Sequence, residues 1–230
     1  MIGKLVRWIA LLVLFCLLFS LLLVVFTRFV DPPTWAWKIQ RDVSPPAGYP
    51  ATVQHRWVEL SQISTAMQLA VIAGEDQTFP DHFGIDIAST KQALADVVSG
   101  ERFRGASTLT QQTAKNVFLW PQQSLFRKAV ELVLAVELEL IWGKRRILEV
   151  YLNVAEFGPG LYGVDAAARH YWGIDAAQIS TAQAARLAAV LPSPYKYSVT
   201  TDSAFMVERR AWIRRQMRQL GEVTLQQVDR

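Results

Sequence analysis

Residues 75–84 read E-D-Q-T-F-P-D-H-F-G and place three acids, a histidine and two aromatics within ten positions. They follow an apolar helical run, so Glu75 is held on a rigid support. Phe79 and Phe83 beside it can lower the local dielectric, which raises a carboxyl pKa and makes a usable base or acid. The plainer reading is a solvated acidic turn at a loop start. A second set lies at 107–116, S-T-L-T-Q-Q-T-A-K-N, read as a helix on which Gln111 and Lys115 share one face and Thr108 and Gln112 another. A cation among amides and hydroxyls suits an anionic oxygen cluster such as a diphosphate; an ordinary polar helix face is the alternative. A third set, Arg127, Lys128 and Glu131, lets one acid touch two cations, either as part of a site or as a surface ion pair worth about 0.3–0.5 kcal/mol.

The elements that must position these groups are helices. Ser61 to Ala73 carries Ile63, Met67, Ala70 and Val71 at helical spacing, with Gly74 breaking the pattern before Glu75. Asp86 reads as the N-cap of a helix with Ile87, Leu94 and Val98, closed by Gly100, and Glu101 to Gly105 is a charged loop. Val117 to Pro121, with Leu125 and Phe126, is either core or a membrane-dipping lip. Ser124 caps a long helix to Trp142 whose apolar stripe is Leu125, Ala129, Leu132, Val136 and Leu140; Gly143 ends it, and Lys144-Arg145-Arg146 opens the next, through Asn153. Gly158 to Gly163 is a tight turn before Val164 to Tyr171, and Ser180 with Gln183 forms a capping box for a helix ending at Pro192. Asp202 caps a final helix whose Arg210, Arg214 and Arg218 form a basic stripe, solvated or near anionic lipid, stopped by Gly221. With no period-2 strand of useful length, the domain reads as all-α.

At 230 residues and 51% apolar, the chain can bury one sizeable core and carry an appendage. Trp8 to Thr27 has no charge and is long enough to span a ~30 Å hydrocarbon layer at ~1.5 Å per residue. A cleaved signal peptide would have a shorter apolar part and a small-x-small site, whereas Arg28, Phe29 and Val30 follow here. The expected division is a cytoplasmic N-terminus at 1–7, a single-pass anchor at 8–30, a Pro-rich linker at 31–51 and an exported domain at 52–230. The linker, with five of the ten prolines plus Trp35, Trp37 and Tyr49, reads as extended with interfacial anchors. Flanking charges nearly balance, so the short N-terminal segment is what favours leaving the N-terminus inside. The single Cys16 lies in mid-span, leaving the exported domain no thiol to pair. A net charge of +4 suits anionic headgroups or a phosphate-bearing substrate and is too mild for nucleic acid. Cys/His metal spacing, a Walker loop and G-x-S-x-G are absent from the sequence. Ser193-Pro194-Tyr195-Lys196 matches S-x-x-K but lacks the partner motifs of an acyl-serine transpeptidase.

Five ordered blocks together resemble the bacterial peptidoglycan glycosyltransferases that polymerise lipid II, specifically the monofunctional biosynthetic transglycosylases. They are the block at 75, G-A-S-T-L-T-Q-Q-T-A-K-N at 105, R-K-A-V-E at 127, K-R-R-I-L-E-V-Y-L-N at 144 and G-L-Y-G-V-D-A-A-A-R-H-Y at 160, within Thr52 to Tyr197. The resemblance implies a lysozyme-like, two-lobed helical domain, with Glu75 as catalytic base, Glu131 as second essential acid and Lys115 on the donor pyrophosphate. Substrate contacts are expected from Gln112, Ser107, Thr108, Arg127 and Lys128 as well. Relatives often carry a basic residue between Asn116 and Arg127, where this chain has Pro121-Gln122-Gln123, so Arg127 or Lys128 is expected to supply that phosphate contact. Because the chain stops soon after, the transpeptidase domain of bifunctional relatives is expected to be missing. No cofactor is required by the reading; a divalent cation, Mg2+ or Mn2+, stays open, with Asp76 the residue to hold it. The expected setting is the bacterial inner membrane with the catalytic domain on the periplasmic side. The partners are lipid II, the lipid-linked glycan and the membrane, with cell-division or penicillin-binding proteins left open. A lysozyme-like lytic enzyme and a non-enzymatic cell-wall scaffold are the rival readings; Lys115 and Arg127 argue against the first, since a neutral sugar leaving group needs no cation.

Overall fold

The structure is a computed structural model describing residues 2–99, 107–122 and 124–229. Gly100, the 101–105 loop, the first two residues of the 105–116 block, Gln123 and the side chains of Leu94 and Val98 lie outside what it describes. Among the described residues there are eleven α-helices and a small sheet. They are α1 (Ile2–Phe29), α2 (Ala36–Val43), α3 (Thr65–Glu75), α4 (Ile87–Val98), α5 (Leu109–Phe118), α6 (Leu125–Ile141), α7 (Gly143–Val154), α8 (Val164–Trp172), α9 (Thr181–Val190), α10 (Ala204–Leu220) and α11 (Val223–Val228). The sheet has β1 (Gln54–His55), β2 (Glu156–Gly158) and β3 (Leu161–Tyr162), in order β1-β3-β2. β1 runs parallel to β3, and β2 pairs with it antiparallel across an irregular register.

The helices form two packed groups, as the all-α, lysozyme-like reading requires. In one, α3, α9 and α10 pack on one another with α11 against α3; in the other, α5, α6 and α7 pack together. Side-chain caps start several helices: Ser64, Ser124, Ser180 and Ser203 each accept from the backbone N–H three residues on, satisfying a donor with no intrahelical partner. The expected cap Asp202 lies one residue early; its carboxylate instead pairs with Arg210 at 2.6 Å and Arg186 at 3.2 Å. Arg210 is correspondingly buried and bonds the carbonyls of Met206 and Thr201, so the expected solvated stripe on α10 keeps only Arg214 and Arg218 outside.

Gly74 does not break α3. The helix continues to Glu75, and Gly74 faces Ile213 and Ala188 where α3 meets α10 and α9. The segment between the prolines is not extended either: α2 forms inside it and packs on α5. The stripe read on α6 is inverted. Leu125 is 92% and Leu140 68% exposed, while the buried face carries Arg127, Glu131, Leu134, Ala135 and Leu138. A hydrophobic stripe marks the core only when the other solvent is water, and here α1 packs along α6.

Helix α1 contains Gly3–Phe29, long and apolar enough to cross a membrane and the only such helix among the described residues. It is fastened to the domain by polar bonds: Ser20 Oγ donates to Glu137 Oε1 at 2.9 Å, Trp142 Nε1 to the Val24 carbonyl at 2.7 Å and Arg146 Nη2 to the Thr27 carbonyl at 3.1 Å. Val24 is fully buried by this docking.

Candidate active site

Glu75 is the last residue of α3. Its side chain is 11% exposed and opens on a cleft of about 280 Å³ lined also by Asp76, Gln77, Thr78, Asp86, Ser89, Ser107 and Thr108. Both carboxylate oxygens are held. Gln112 Nε2 donates to Oε2 at 3.1 Å, and Arg209 Nη2 lies 3.3 Å from Oε1. Gln112 is itself fixed, because Tyr151 donates its hydroxyl to Oε1 of that amide at 3.1 Å. Burial pushes the Glu75 carboxyl above its ordinary value, against the opposing pull of Gln112, Arg209 and Lys115. Phe79 is fully buried, whereas Phe83 is half exposed.

The loop after Glu75 is pinned from below. The Asp76 carboxylate accepts from His82 Nε2 at 2.9 Å and from the Leu109 N–H at the start of α5 at 2.8 Å. Lys144 lies 4.5 Å from the centre of the Phe79 ring and pairs with buried Glu139 at 2.7 Å. Gly84, with φ +76°, closes the loop; a Cβ there would stand 2.9 Å from the Ala135 carbonyl oxygen, which only glycine avoids. Asp76 Oδ2 thus carries two bonds, Oδ1 lies 3.1 Å from the same His82 Nε2, and no group of three His, Cys, Asp or Glu is arranged for a metal among the described residues.

Helix α5 opens with a capping box in which Thr108 Oγ1 accepts from the Gln111 N–H and Gln111 returns a bond to the Thr108 N–H. The Thr108 hydroxyl donates to the Gly84 carbonyl at 2.6 Å, so it ties α5 to the loop. Gln112 faces Glu75 and Gln111 is buried in the cap, so neither is an unengaged polar face. Lys115, one turn further, is largely shielded from solvent. Burial lowers its pKa, Glu131 and Glu75 work against that, and Arg127 and Lys128 add to it; all five charged groups therefore act on one locality.

Glu131 is 3% exposed and bridges two cations: Arg127 Nη1 at 2.8 Å and the Lys128 ammonium. This is a buried bridge, and the surface-pair reading fails. Lys128 also lies 3.4 Å from Ser107 Oγ. Arg127 Nε is buried with no hydrogen-bond partner among the described residues. The structure thus gathers Glu75, Gln112, Lys115, Arg127, Lys128, Glu131, Ser107 and Thr108, with Thr108 and Gln112 engaged in positioning. Arg209 and Tyr151 were missed by sequence reasoning. Arg209 comes from α10, remote in the chain, and local spacing carries no signal for it; Tyr151 sits on the Glu75 side of the I-L-E-V-Y-L-N helix and could have been sought there.

A mostly helical domain with one N-terminal helix long and apolar enough to cross a membrane, and a buried carboxylate at a cleft with a cluster of cations near it, is the class of molecule that fold and site define. Comparison with known proteins narrows it. The transglycosylase family model matches residues 45–218, and the chain belongs to that family. A biosynthetic peptidoglycan transglycosylase of Shewanella oneidensis is 50% identical over 99% of this chain and 97% of its own. Proteins of the same name from Vibrio parahaemolyticus and Pseudomonas putida are 51% and 48% identical, over 98% and 100% of this chain and 100% and 98% of theirs.

Proposed function

We infer that the chain is a peptidoglycan glycosyltransferase that polymerises lipid II into β-1,4-linked glycan with release of undecaprenyl diphosphate. Its membership of the transglycosylase family supports the enzyme class. The observation that carries the mechanism is the buried Glu75 carboxylate, held by Gln112 and Arg209, within the electrostatic reach of Lys115, which in turn feels Arg127, Lys128 and Glu131.

In the reaction we propose, the acceptor is lipid II and the donor a growing glycan on a lipid diphosphate. The acceptor's GlcNAc 4-hydroxyl oxygen forms a bond to the donor's MurNAc C1 from the face opposite the diphosphate. Glu75 takes the hydroxyl proton, and the C1–O electron pair leaves with the diphosphate, so configuration inverts from α to β. Gln112 and Arg209 aim the carboxylate. Negative charge grows on the departing diphosphate, and Lys115, with Arg127 or Lys128, stabilises it; such preorganised donors are typically worth about 3–4 kcal/mol each. The unpartnered Arg127 Nε is a donor left for a phosphate oxygen, in place of the basic residue that relatives carry between Asn116 and Arg127. Glu131 orients those cations and is not a second base, since Arg127 and Lys128 occupy its two oxygens. The anchor would leave the N-terminus in the cytoplasm and the domain on the outer face of the inner membrane. There the exposed Leu125, Phe126 and Leu140 meet lipid and bring the cleft to its substrate. Purified, detergent-solubilised protein should convert labelled lipid II to long polymer; fragments from finished peptidoglycan and no polymer would make it a lytic enzyme instead.

A further inference from the structure

The segment between anchor and catalytic domain lies largely outside the residues that the family model matches, yet it reaches the cation cluster. Helix α2 packs on α5, and the Lys115 ammonium stands 5.7 Å from the centre of the Trp37 ring. A second cation, Arg41, lies 5.1 Å from the same ring and 4.7 Å from that of Tyr195. Arg41 Nε is 3.7 Å from Glu156 Oε2, a buried carboxylate whose other oxygen accepts from the Tyr195 hydroxyl at 3.0 Å and the Gly160 N–H at 3.1 Å. Arg41 and Glu156 thus hold α2 to the domain, and the turn of α2 that carries Trp37 is set against Lys115. An aromatic ring within about 6 Å of an ammonium attracts it and excludes water from one side without neutralising its charge. A tryptophan serving only as an interfacial anchor would face headgroups; this one faces two cations of the protein.

We propose that Trp37 is a positioning residue of the donor site, holding Lys115 by its ring so that the ammonium meets the diphosphate oxygens already oriented and partly dehydrated. The linker helix is then a wall of the site as well as a tether. This rests on the reading of Lys115 as a diphosphate-binding cation, and the test separates the two. The 230-residue chain in detergent is titrated calorimetrically with inorganic pyrophosphate, comparing wild type, Trp37→Ala, Trp37→Phe and Lys115→Ala. Trp37→Ala should weaken binding on the order of fivefold, Trp37→Phe should restore most of it, and Lys115→Ala should lose more than either. In turnover assays Trp37→Ala should raise KM for lipid II more than it lowers kcat. Loss of binding in Lys115→Ala with Trp37→Ala equal to wild type would overturn the role of Trp37 alone. Equal losses in Trp37→Ala and Trp37→Phe would reduce it to packing of α2. Undiminished binding in Lys115→Ala would overturn the diphosphate reading beneath it.

Discussion

At the scale of residues, two groups are moved toward each other in pKa by the same cause. Burial raises Glu75 and lowers Lys115, so each is nearer neutrality than in water. Turnover needs the first ionised and the second protonated. The pH profile should therefore be a bell whose acid limb lies above the ordinary carboxylate range and whose alkaline limb lies below that of a free lysine; Lys115→Arg should remove the alkaline limb while an activity remains to be followed. The same burial fixes a sign for stability. Glu75 binds its proton more tightly folded than unfolded, so its contribution is full below the unfolded value near 4.5 and is lost as pH rises through the folded one. Glu75→Gln should accordingly unfold at a higher temperature than wild type at pH 7–8, and the difference should shrink at pH 4, a trade of stability for function that thermal scans at both pH values would read. Glu75, Lys115, Arg127 and Glu131 were legible because the residue types and spacings that chemistry needs lie within short blocks. Arg209 was not, since only the packing of α10 on α3 brings it to the carboxylate.

At the scale of elements, the helices were legible from periodicity and caps, and the faces were less so. Periodicity reports that one side of α6 is apolar without saying which solvent it meets, and the outcome cuts across it: Arg127 and Glu131 face inward with Leu134 and Leu138, while Leu125 and Leu140 face outward. The proline spacing around α2 likewise read as an extended chain, because a helix of only 8 residues between two proline pairs carries little helical signal until α5 supplies a surface. The loop from Asp76 to Gly84 is where local structure and site meet. Gly84→Ala would force a side chain onto the Ala135 carbonyl at positive φ, and should cost about 2–3 kcal/mol and reduce turnover through a displaced Thr108 and α5. Denaturant unfolding of the variant beside wild type measures that; an unchanged midpoint would show that the loop can move aside.

At the scale of the whole molecule, α1 and the helical domain pack together along the C-terminal half of that apolar helix. Arg146 is the hub: it bonds the Thr27 carbonyl, pairs with Asp31 at 2.8 Å and with buried Glu149, whose Oε2 accepts from the Leu60 N–H at 3.0 Å. Arg146→Ala strands that carboxylate and should destabilise by about 3 kcal/mol, with Arg146→Leu no better, as thermal unfolding in detergent would record. A long apolar helix was legible from composition alone; its docking was not, since it depends on single polar groups such as Ser20 and Trp142 meeting partners more than a hundred residues away. The most direct test uses the 230-residue chain with α1 in place. Labelled lipid II is given to wild type and Glu75→Gln, with polymer length and lipid II binding followed together. Wild type should give polymer, and Glu75→Gln should retain binding with turnover lower by about 10²-fold or more. Near-normal polymer from Glu75→Gln would contradict this and place the base elsewhere.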